Sequence, residues 1–311
     1  MKRVVITGAT GMIGLAIIRK MVRENIEVLV IARPGSKRNA RIPRDPLVTV
    51  KECDLSDFSG FDTKEKYDCF FHLAWAGTTG AARNDMDLQT KNIQGTLDAV
   101  ELAAKLGCEV FIGAGSQAEY GRVSDGSKLS PSTPCFPENG YGMGKFCAGK
   151  MSKIKAEQLG MRHVWMRILS IYGPLDGMQS MVMSGIKQLH EGVRPQYTKG
   201  EQMWDYLYCD DAAEAFFLAA EKAPHGAVYC LGSGQVRPLS EYITIIRDTV
   251  RPGAEIGFGE IPYYPQQVMY LCADIDILSK ETGFVPKTPF EEGIRNTYEW
   301  YSQAEAEEQN K

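Results

Sequence analysis

The chain has 311 residues, a net charge of −4, 44% apolar and 24% charged residues, a balance that allows a well-buried globular core and leaves no basic footprint for nucleic acid. Its eight cysteines stand singly, without a C-x-x-C pair, which argues against a zinc cluster or a disulfide framework, and no metal is expected. Neither a leader pattern nor a membrane-length apolar run is present, so the expectation is a cytoplasmic protein with no membrane partner.

In chain order, "RVVITG" (3–8) is a short β-branched run that predicts a strand. The stretch 12–24 predicts a helix with Ile17, Ile18, Met21 and Val22 on one face. Strand patterns recur as "EVLVIAR" (27–33), "VTVKECDL" (48–55), "DCFFHLAW" (68–75) and "CEVFIGAGS" (108–116). A helical pattern over 86–106 places Ile93, Leu97, Val100 and Ala104 together, and 142–158 adds another apolar face with Met151 and Ile154. Strands apolar on both faces belong to parallel sheets covered by helices. The alternation predicts an α/β doubly wound parallel sheet, a dinucleotide-binding Rossmann domain over 1–173. After "RHVWMRILSIYGP" (162–174) the alternation gives way to Pro, Gly and Tyr. Residues 174–311 are expected to form a smaller, interleaved substrate-binding region, with 205–233, including the strand-like "AVYCLGS" (227–233), returning to the sheet. The tail "SQAEAEEQNK" is polar and acidic and is expected to fray.

Within "VVITGATGMIG" (4–14), Gly8, Gly11 and Gly14 follow the first strand and open the first helix. A ligand-free turn also uses glycine, but this context suits a dinucleotide pyrophosphate. Gly8 permits the sharp turn. Gly11 lets phosphates reach backbone N–H groups at the helix N-terminus, at Met12 and Ile13, and Gly14 lets the helix pack on the sheet. At the end of the second strand, where many NAD-binding sheets carry an acid for the ribose, stand Ala32 and Arg33, with Ser36, Lys37 and Arg38 beyond. A guanidinium pairs with a 2′-phosphate that a carboxylate would repel, which favours NADP over NAD. "CDL" (53–55) ends the third strand, where Asp54 and Leu55 could flank the adenine.

"YGMGK" places Tyr141 and Lys145 four apart, one turn along a helix face. A phenol near a fixed ammonium is expected to have its pKa lowered, and so to serve as general acid or base near neutral pH. Lys145 could also bind the nicotinamide ribose. Upstream, "GSQAEYG" puts Ser116 at the C-terminal end of the fifth strand, the edge where open α/β sheets bind ligands. The four histidines show no metal-ligand spacing; His72 is expected to be a core or cleft residue, Trp75 to border the site or pack, and the methionines of "MQSMVMSG" (178–184) to fill gaps.

With these residues assembled, the chain resembles the extended short-chain dehydrogenase/reductase family (NAD-dependent epimerase/dehydratase), which holds nucleotide-sugar epimerases, dehydratases and ketoreductases. The likeness covers nearly the whole chain through "TGATGMIG", "CDLSD", "FHLAW", "NIQGTLDAVELAA", "GSQAEYG", "YGMGK", "RILSIYGP", "YCDDAAEAF" and "LGSG". It implies Ser116, Tyr141 and Lys145 as a catalytic trio, the three glycines on pyrophosphate, and Leu73, Ala74 and Ala76 along the cofactor cleft. It further implies a structural Asn92 and a homodimer built on the helices of 86–106 and 142–158.

Departures from the family pattern narrow the reaction. Where family dehydratases follow the hydroxyl residue with an Asp-Glu pair, this chain has Gln117 and Ala118, which can neither protonate a leaving water nor abstract an α-proton. Trp204 replaces the usual diphosphate-gripping Arg, Ser170 replaces an Asn, and a later substrate Arg is absent around Gln266 and Gln267. Ser116, Gln117, Ser170, Trp204 and Arg237 are the expected substrate contacts, with Arg194 and Lys199 as further candidates. The expectation is an NAD(P)-dependent oxidoreductase that reduces a 4-keto group on a nucleotide-linked sugar. Its alternatives are a nucleotide-sugar 4-epimerase and a non-catalytic dinucleotide sensor.

Overall fold

The computed structural model describes residues 1–58, 61–123, 126–265 and 267–309; Gln266, singled out above, lies outside them. Seven strands make one parallel sheet: β1 (Arg3–Thr7), β2 (Glu27–Ala32), β3 (Val48–Glu52), β4 (Cys69–His72), β5 (Val110–Ser116), β6 (Arg162–Ile168) and, after an intervening stretch, β10 (Ala227–Leu231). Their order is β10-β6-β5-β4-β1-β2-β3. The doubly wound sheet is as the alternation implies.

Each central strand divides its side chains between two cores. Val4 and Ile6 face one cluster with Leu15, Ile17 and Ile18 of α1 (Met12–Arg23) and Phe216 of α5 (Cys209–Lys222). Val5, Leu29, Phe70 and Phe111 face the other, with Ala99, Val100 and Ala103 of α2 (Met86–Lys105) and Ala156 of α3 (Gly140–Gln158). This two-sided burial explains why the strands read as continuous apolar runs rather than alternating ones. On α2 the buried residues include Thr96, Ala99, Val100, Leu102 and Ala103, whereas Ile93, Leu97 and Ala104 are half-exposed. The expected face is thus rotated, toward small residues that let α2 pack against both the sheet and α3. Met143, Met151 and Ile154 of α3 point out of the fold and are exposed.

The remaining elements are β7 (Ser170–Tyr172), α4 (Met181–His190), β8 (Met203–Trp204), β9 (Tyr206–Tyr208), β11 (Arg237–Pro238), α6 (Leu239–Val250), β12 (Tyr270–Leu271), α7 (Asp276–Thr282) and α8 (Phe290–Gln309). The strands form two small sheets, β11-β8-β12 and β7-β9, while β10 is the edge strand of the large one. α8 continues through the tail as far as Gln309, and the last two residues of that tail lie outside the described ones. Within "MQSMVMSG", Met183 is fully buried and Met178 exposed, so the first fills core space and the second does not.

Two of the three N-terminal glycines have steric reasons inside the protein. Gly8 has φ +72°, and a Cβ there would lie 2.5 Å from the Ala74 amide nitrogen; one at Gly14 would lie 2.6 Å from the Gly8 carbonyl oxygen. Gly35 has φ +64° with open space around it. Gly35→Ala is therefore expected to cost about 1–2 kcal/mol, the left-handed penalty alone. Gly8→Ala adds a backbone collision and should cost about 3 kcal/mol or more. Urea denaturation of the two variants checks the order, and equal losses would refute the steric reading of Gly8.

Candidate active site

The C-terminal ends of β1, β4 and β5 lie side by side, with Thr7 beside His72 and His72 beside Gly113. At this edge Gly11 differs from its two companions. A Cβ on it would meet only the Gly8 carbonyl oxygen, at 3.5 Å, so nothing inside the protein demands a glycine there. α1 begins at Gly11 with no capping side chain and no acid in its first turn, whereas Asp85 caps α2 and Asn139 caps α3. The N–H groups of Met12, Ile13 and Gly14 therefore head an uncapped helix beside an open approach, which fits the diphosphate of a dinucleotide.

Leu73 and Ala74 abut Gly8 from the loop after β4, and Leu73 N–H donates to the Thr7 carbonyl oxygen at 3.1 Å. Ala76 is held by Asn92, which accepts from its N–H at 2.9 Å and donates to its carbonyl oxygen at 2.8 Å. Beneath them His72 is buried between the hydroxyls of Thr7 (2.9 Å) and Thr96 (3.3 Å). Burial brings its pKa down to about 3, so His72 is a neutral part of the floor.

Arg33 is exposed past the end of β2, with Ser36 and the short 3-10 turn Lys37–Arg41 beyond it. Asp54 is exposed too; Ser56 donates to it through both N–H (2.9 Å) and hydroxyl (2.7 Å), which lowers its pKa. Leu55 is half-buried, with its carbonyl oxygen facing Gly95 of α2.

Ser116, Tyr141 and Lys145 converge where β5 ends and α3 begins. The Ser116 side chain interacts with the Tyr141 phenol. Lys145, 4% exposed, donates to the Ala114 carbonyl oxygen at 2.6 Å and lies 3.9 Å from the ring centre of Trp75. Trp75 in turn meets Tyr141 edge-on at 6.2 Å and donates to Gln89 Oε1 at 2.8 Å; it borders the site.

The electrostatics differ from the sequence expectation. Burial raises the Tyr141 pKa, while Ser116 and then Arg83 pull it the other way. Lys145 Nζ is 5.9 Å from the Tyr141 ring centre, and burial lowers its own pKa to about 7 against the opposing influence of Glu119. Desolvation therefore outweighs the Ser116 hydrogen bond and the Arg83 charge, and the phenol stays protonated through neutral pH.

Sequence reasoning missed two neighbours. Glu119 is 1% exposed and accepts from Ser116 N–H (2.9 Å), Trp165 Nε1 (2.9 Å) and Arg167 Nε (2.7 Å). Its signal was present, since Ser116-x-x-Glu119 is a capping box around a short 3-10 turn. Arg83, on the turn Gly80–Asn84, places its guanidinium 4.5 Å from the Tyr141 ring centre; no motif marks it.

Of the expected substrate residues, Gln117 is half-buried next to Ser116. Ser170 and Trp204 meet, the indole N–H donating to the Ser170 hydroxyl at 2.8 Å. Arg237 pairs with Trp204 across the small sheet and donates to Glu291 at 2.6 Å. Arg194 is engaged by both oxygens of Glu260, at 2.9 and 2.5 Å. Lys199 is exposed. Among the described residues no cluster of acids, histidines and cysteines could hold a metal ion, and no helix is long and apolar enough to cross a membrane.

The sequence model of the NAD dependent epimerase/dehydratase family matches residues 4–232. The chain is 24% identical over 323 residues to an Arabidopsis thaliana trifunctional UDP-glucose 4,6-dehydratase/UDP-4-keto-6-deoxy-D-glucose 3,5-epimerase/UDP-4-keto-L-rhamnose-reductase, with 97% of this chain and 47% of that protein covered. It thus spans about half the length of that relative. With the dTDP-D-glucose 4,6-dehydratase of Mus musculus it shares 25% over 326 residues, 96% of this chain and 88% of that one. A solved UDP-N-acetylglucosamine 4-epimerase from Methanobrevibacter ruminantium M1, in complex with UDP-N-acetylmuramic acid, has the same fold. The TM-score is 0.86 at 24% identity, over 97% of this chain and 99% of that one.

The depressed Lys145 pKa has a consequence for stability. Between about 7 and the ordinary lysine value the unfolded chain holds a proton that the folded one has released. Stability gained from this group is present at high pH and lost as pH falls through about 7. Lys145→Met is expected to remove that component, so the wild-type stability minus that of the variant should rise from pH 6.5 to 9.5. Urea midpoints across this range check it, and a difference independent of pH would refute the buried, easily neutralised ammonium.

Proposed function

The chain belongs to the NAD dependent epimerase/dehydratase family, and we propose that within it this protein is an NAD(P)-dependent oxidoreductase that reduces a 4-keto group on a nucleotide-linked sugar. The observation that carries this reading is the fate of the carboxylate after β5. Glu119 is spent on Ser116 N–H, Trp165 and Arg167, and Gln117 and Ala118 carry no acid. Dehydration, which needs a carboxylate to remove an α-proton, thereby lacks its base, while a Ser–Tyr–Lys site suited to carbonyl and alcohol chemistry remains.

When bound, the nicotinamide supplies the hydride. Gly8, Gly11, Met12, Ile13 and Gly14 would hold the diphosphate, Leu73, Ala74 and Ala76 the cleft wall, and Asp54 and Leu55 the adenine side. Lys145 would hold the nicotinamide ribose. Tyr141 donates its phenolic proton to the carbonyl oxygen as the alcohol forms, and Ser116 hydrogen-bonds the same oxygen and orients it. A phenol kept protonated by burial suits this direction of reaction. Gln117, Ser170, Trp204 and Arg237 are the proposed substrate contacts. In this division 1–173 carries the dinucleotide and most of 174–311 the substrate. The exposed Met143, Met151 and Ile154 of α3 support a homodimer.

Exposed Arg33, with no acid at the end of β2, supports NADP(H). The second reading is a nucleotide-sugar 4-epimerase, because the same three side chains could also oxidise a C4 hydroxyl and return hydride to the opposite face. A non-catalytic sensor would need the glycines but not the convergence of Ser116, Tyr141 and Lys145.

A panel of nucleotide-linked 4-keto sugars with NADPH or NADH tests the reading. Cofactor should be oxidised in proportion to product, and Tyr141→Phe should lower turnover by about two orders of magnitude or more with cofactor binding retained. Sugar interconversion without added cofactor, on tightly retained NAD, would leave the epimerase instead. Arg33→Asp is expected to weaken NADPH binding by about 1–3 kcal/mol, a lost charge-assisted contact plus repulsion, with NADH much less affected. Equal losses for the two cofactors, measured by titration calorimetry, would overturn the 2′-phosphate assignment.

A further inference from the structure

Resting on the assignment of Tyr141 as proton donor, we propose that Arg83 is a positioning residue that sets the acidity of Tyr141 from across the face of its ring. The charged groups facing Tyr141 come from three elements: Arg83 from the turn before α2, Lys145 one turn along α3, and Glu119 behind Ser116. Glu119 is already compensated by Arg167 at 2.7 Å. Lys145 is the more distant cation, 5.9 Å from the ring centre against 4.5 Å for the Arg83 guanidinium. It is also committed to Ala114 O and to the Trp75 face. With a pKa of about 7 it is only partly charged at neutral pH, whereas a guanidinium is always charged.

Ring contact alone could be packing, but the turn is built to hold the guanidinium there. Gln89 Nε2 donates to the carbonyl oxygens of Gly77 (3.1 Å) and Ala82 (2.9 Å), and Arg83 itself donates to the Thr78 carbonyl oxygen at 3.3 Å. Gly140 N–H, one residue before Tyr141, donates to Asn84 Oδ1 at 3.0 Å. A Cβ on Gly140 would lie 2.9 Å from the Arg83 carbonyl oxygen, so the glycine lets the turn seat directly on the start of α3. Among the described residues no carboxylate lies within ion-pair distance of Arg83. Its charge is therefore left to act on the ring, where it favours phenolate over phenol. The result is a phenol that burial keeps protonated and whose upward shift the guanidinium, after the Ser116 hydrogen bond, opposes.

The test needs neither substrate nor cofactor. Tyr141 is replaced by 3,5-difluorotyrosine, whose phenol ionises near neutral pH, in the parent, Arg83→Lys and Arg83→Met proteins. Phenolate absorbance is then titrated, with circular dichroism to confirm folding. Arg83→Met keeps the apolar cover and removes the charge, and is expected to raise the midpoint by about one pH unit or more, a tenfold loss of phenolate at fixed pH. Arg83→Lys should restore most of the shift. An unchanged midpoint in a folded Arg83→Met protein would overturn the proposal, as would Arg83→Lys shifting as far as Arg83→Met. A shift without turnover of any keto sugar would instead sink the proposed function and leave the coupling standing.

Discussion

One buried carboxylate ties the site to the sheet. Glu119 takes the backbone N–H of Ser116 at the end of β5 and the side chains of Trp165 and Arg167 from β6. Arg167 passes the constraint on to the Tyr120 hydroxyl at 3.0 Å, which contacts Cys230 of β10 at 2.9 Å and donates to the Ser130 carbonyl oxygen at 2.8 Å. Three adjacent strands and the loop after β5 are thus fixed by one ion pair and its hydrogen bonds. Losing either partner would strand the other charge in the interior, a cost of about 3–5 kcal/mol. Ser116 is the last residue of β5 paired with β6, and its own N–H is satisfied by this carboxylate.

That anchor sits in a site whose other ionisable groups are kept from full charge by burial. His72 is neutral, with a pKa near 3, and Lys145 is poised at about 7, both for want of water. Tyr141 is raised for the same reason. A poorly solvated pocket of this kind magnifies every charge that does enter it. The always-charged guanidiniums near the trio are then distinct in role: Arg167 is matched by Glu119 beneath the floor, and Arg83 lies open over Tyr141.

Much of this was legible in the sequence because it is local. The strands announce themselves as apolar on both faces, since helices cover both sides of the sheet. Gly8 and Gly14 mark the turn through sterics that any chain must obey, and a four-residue spacing is enough to put Tyr141 and Lys145 on one face. The Ser116-x-x-Glu119 box is equally local, a capping signature around a single short turn. What could not be read is non-local. The α2 face turns because α3 packs beside it, and Arg83 reaches Tyr141 from 58 positions away by a turn whose hydrogen bonds no spacing rule encodes. The sign of the Tyr141 shift belongs to the same group, because desolvation depends on everything packed around the phenol.

The C-terminal region follows a different logic from the sheet. Its strands are two or three residues long, apart from β10, and its order comes from side chains rather than ladders. Asp205, fully buried, accepts from Ser233 N–H (2.7 Å) and hydroxyl (2.6 Å), Gly234 N–H (3.0 Å) and Ala273 N–H (3.0 Å). The loop after β10 and the segment just past β12 are thereby bound to the residue next to Trp204. Trp204 closes the connection by donating to Ser170 just beyond β6. The C-terminal region is therefore held by point contacts between short segments, an arrangement in which a side chain can change without disturbing the sheet beneath. The central strands of a sheet covered on both faces cannot vary in that way, because their side chains pack on either side.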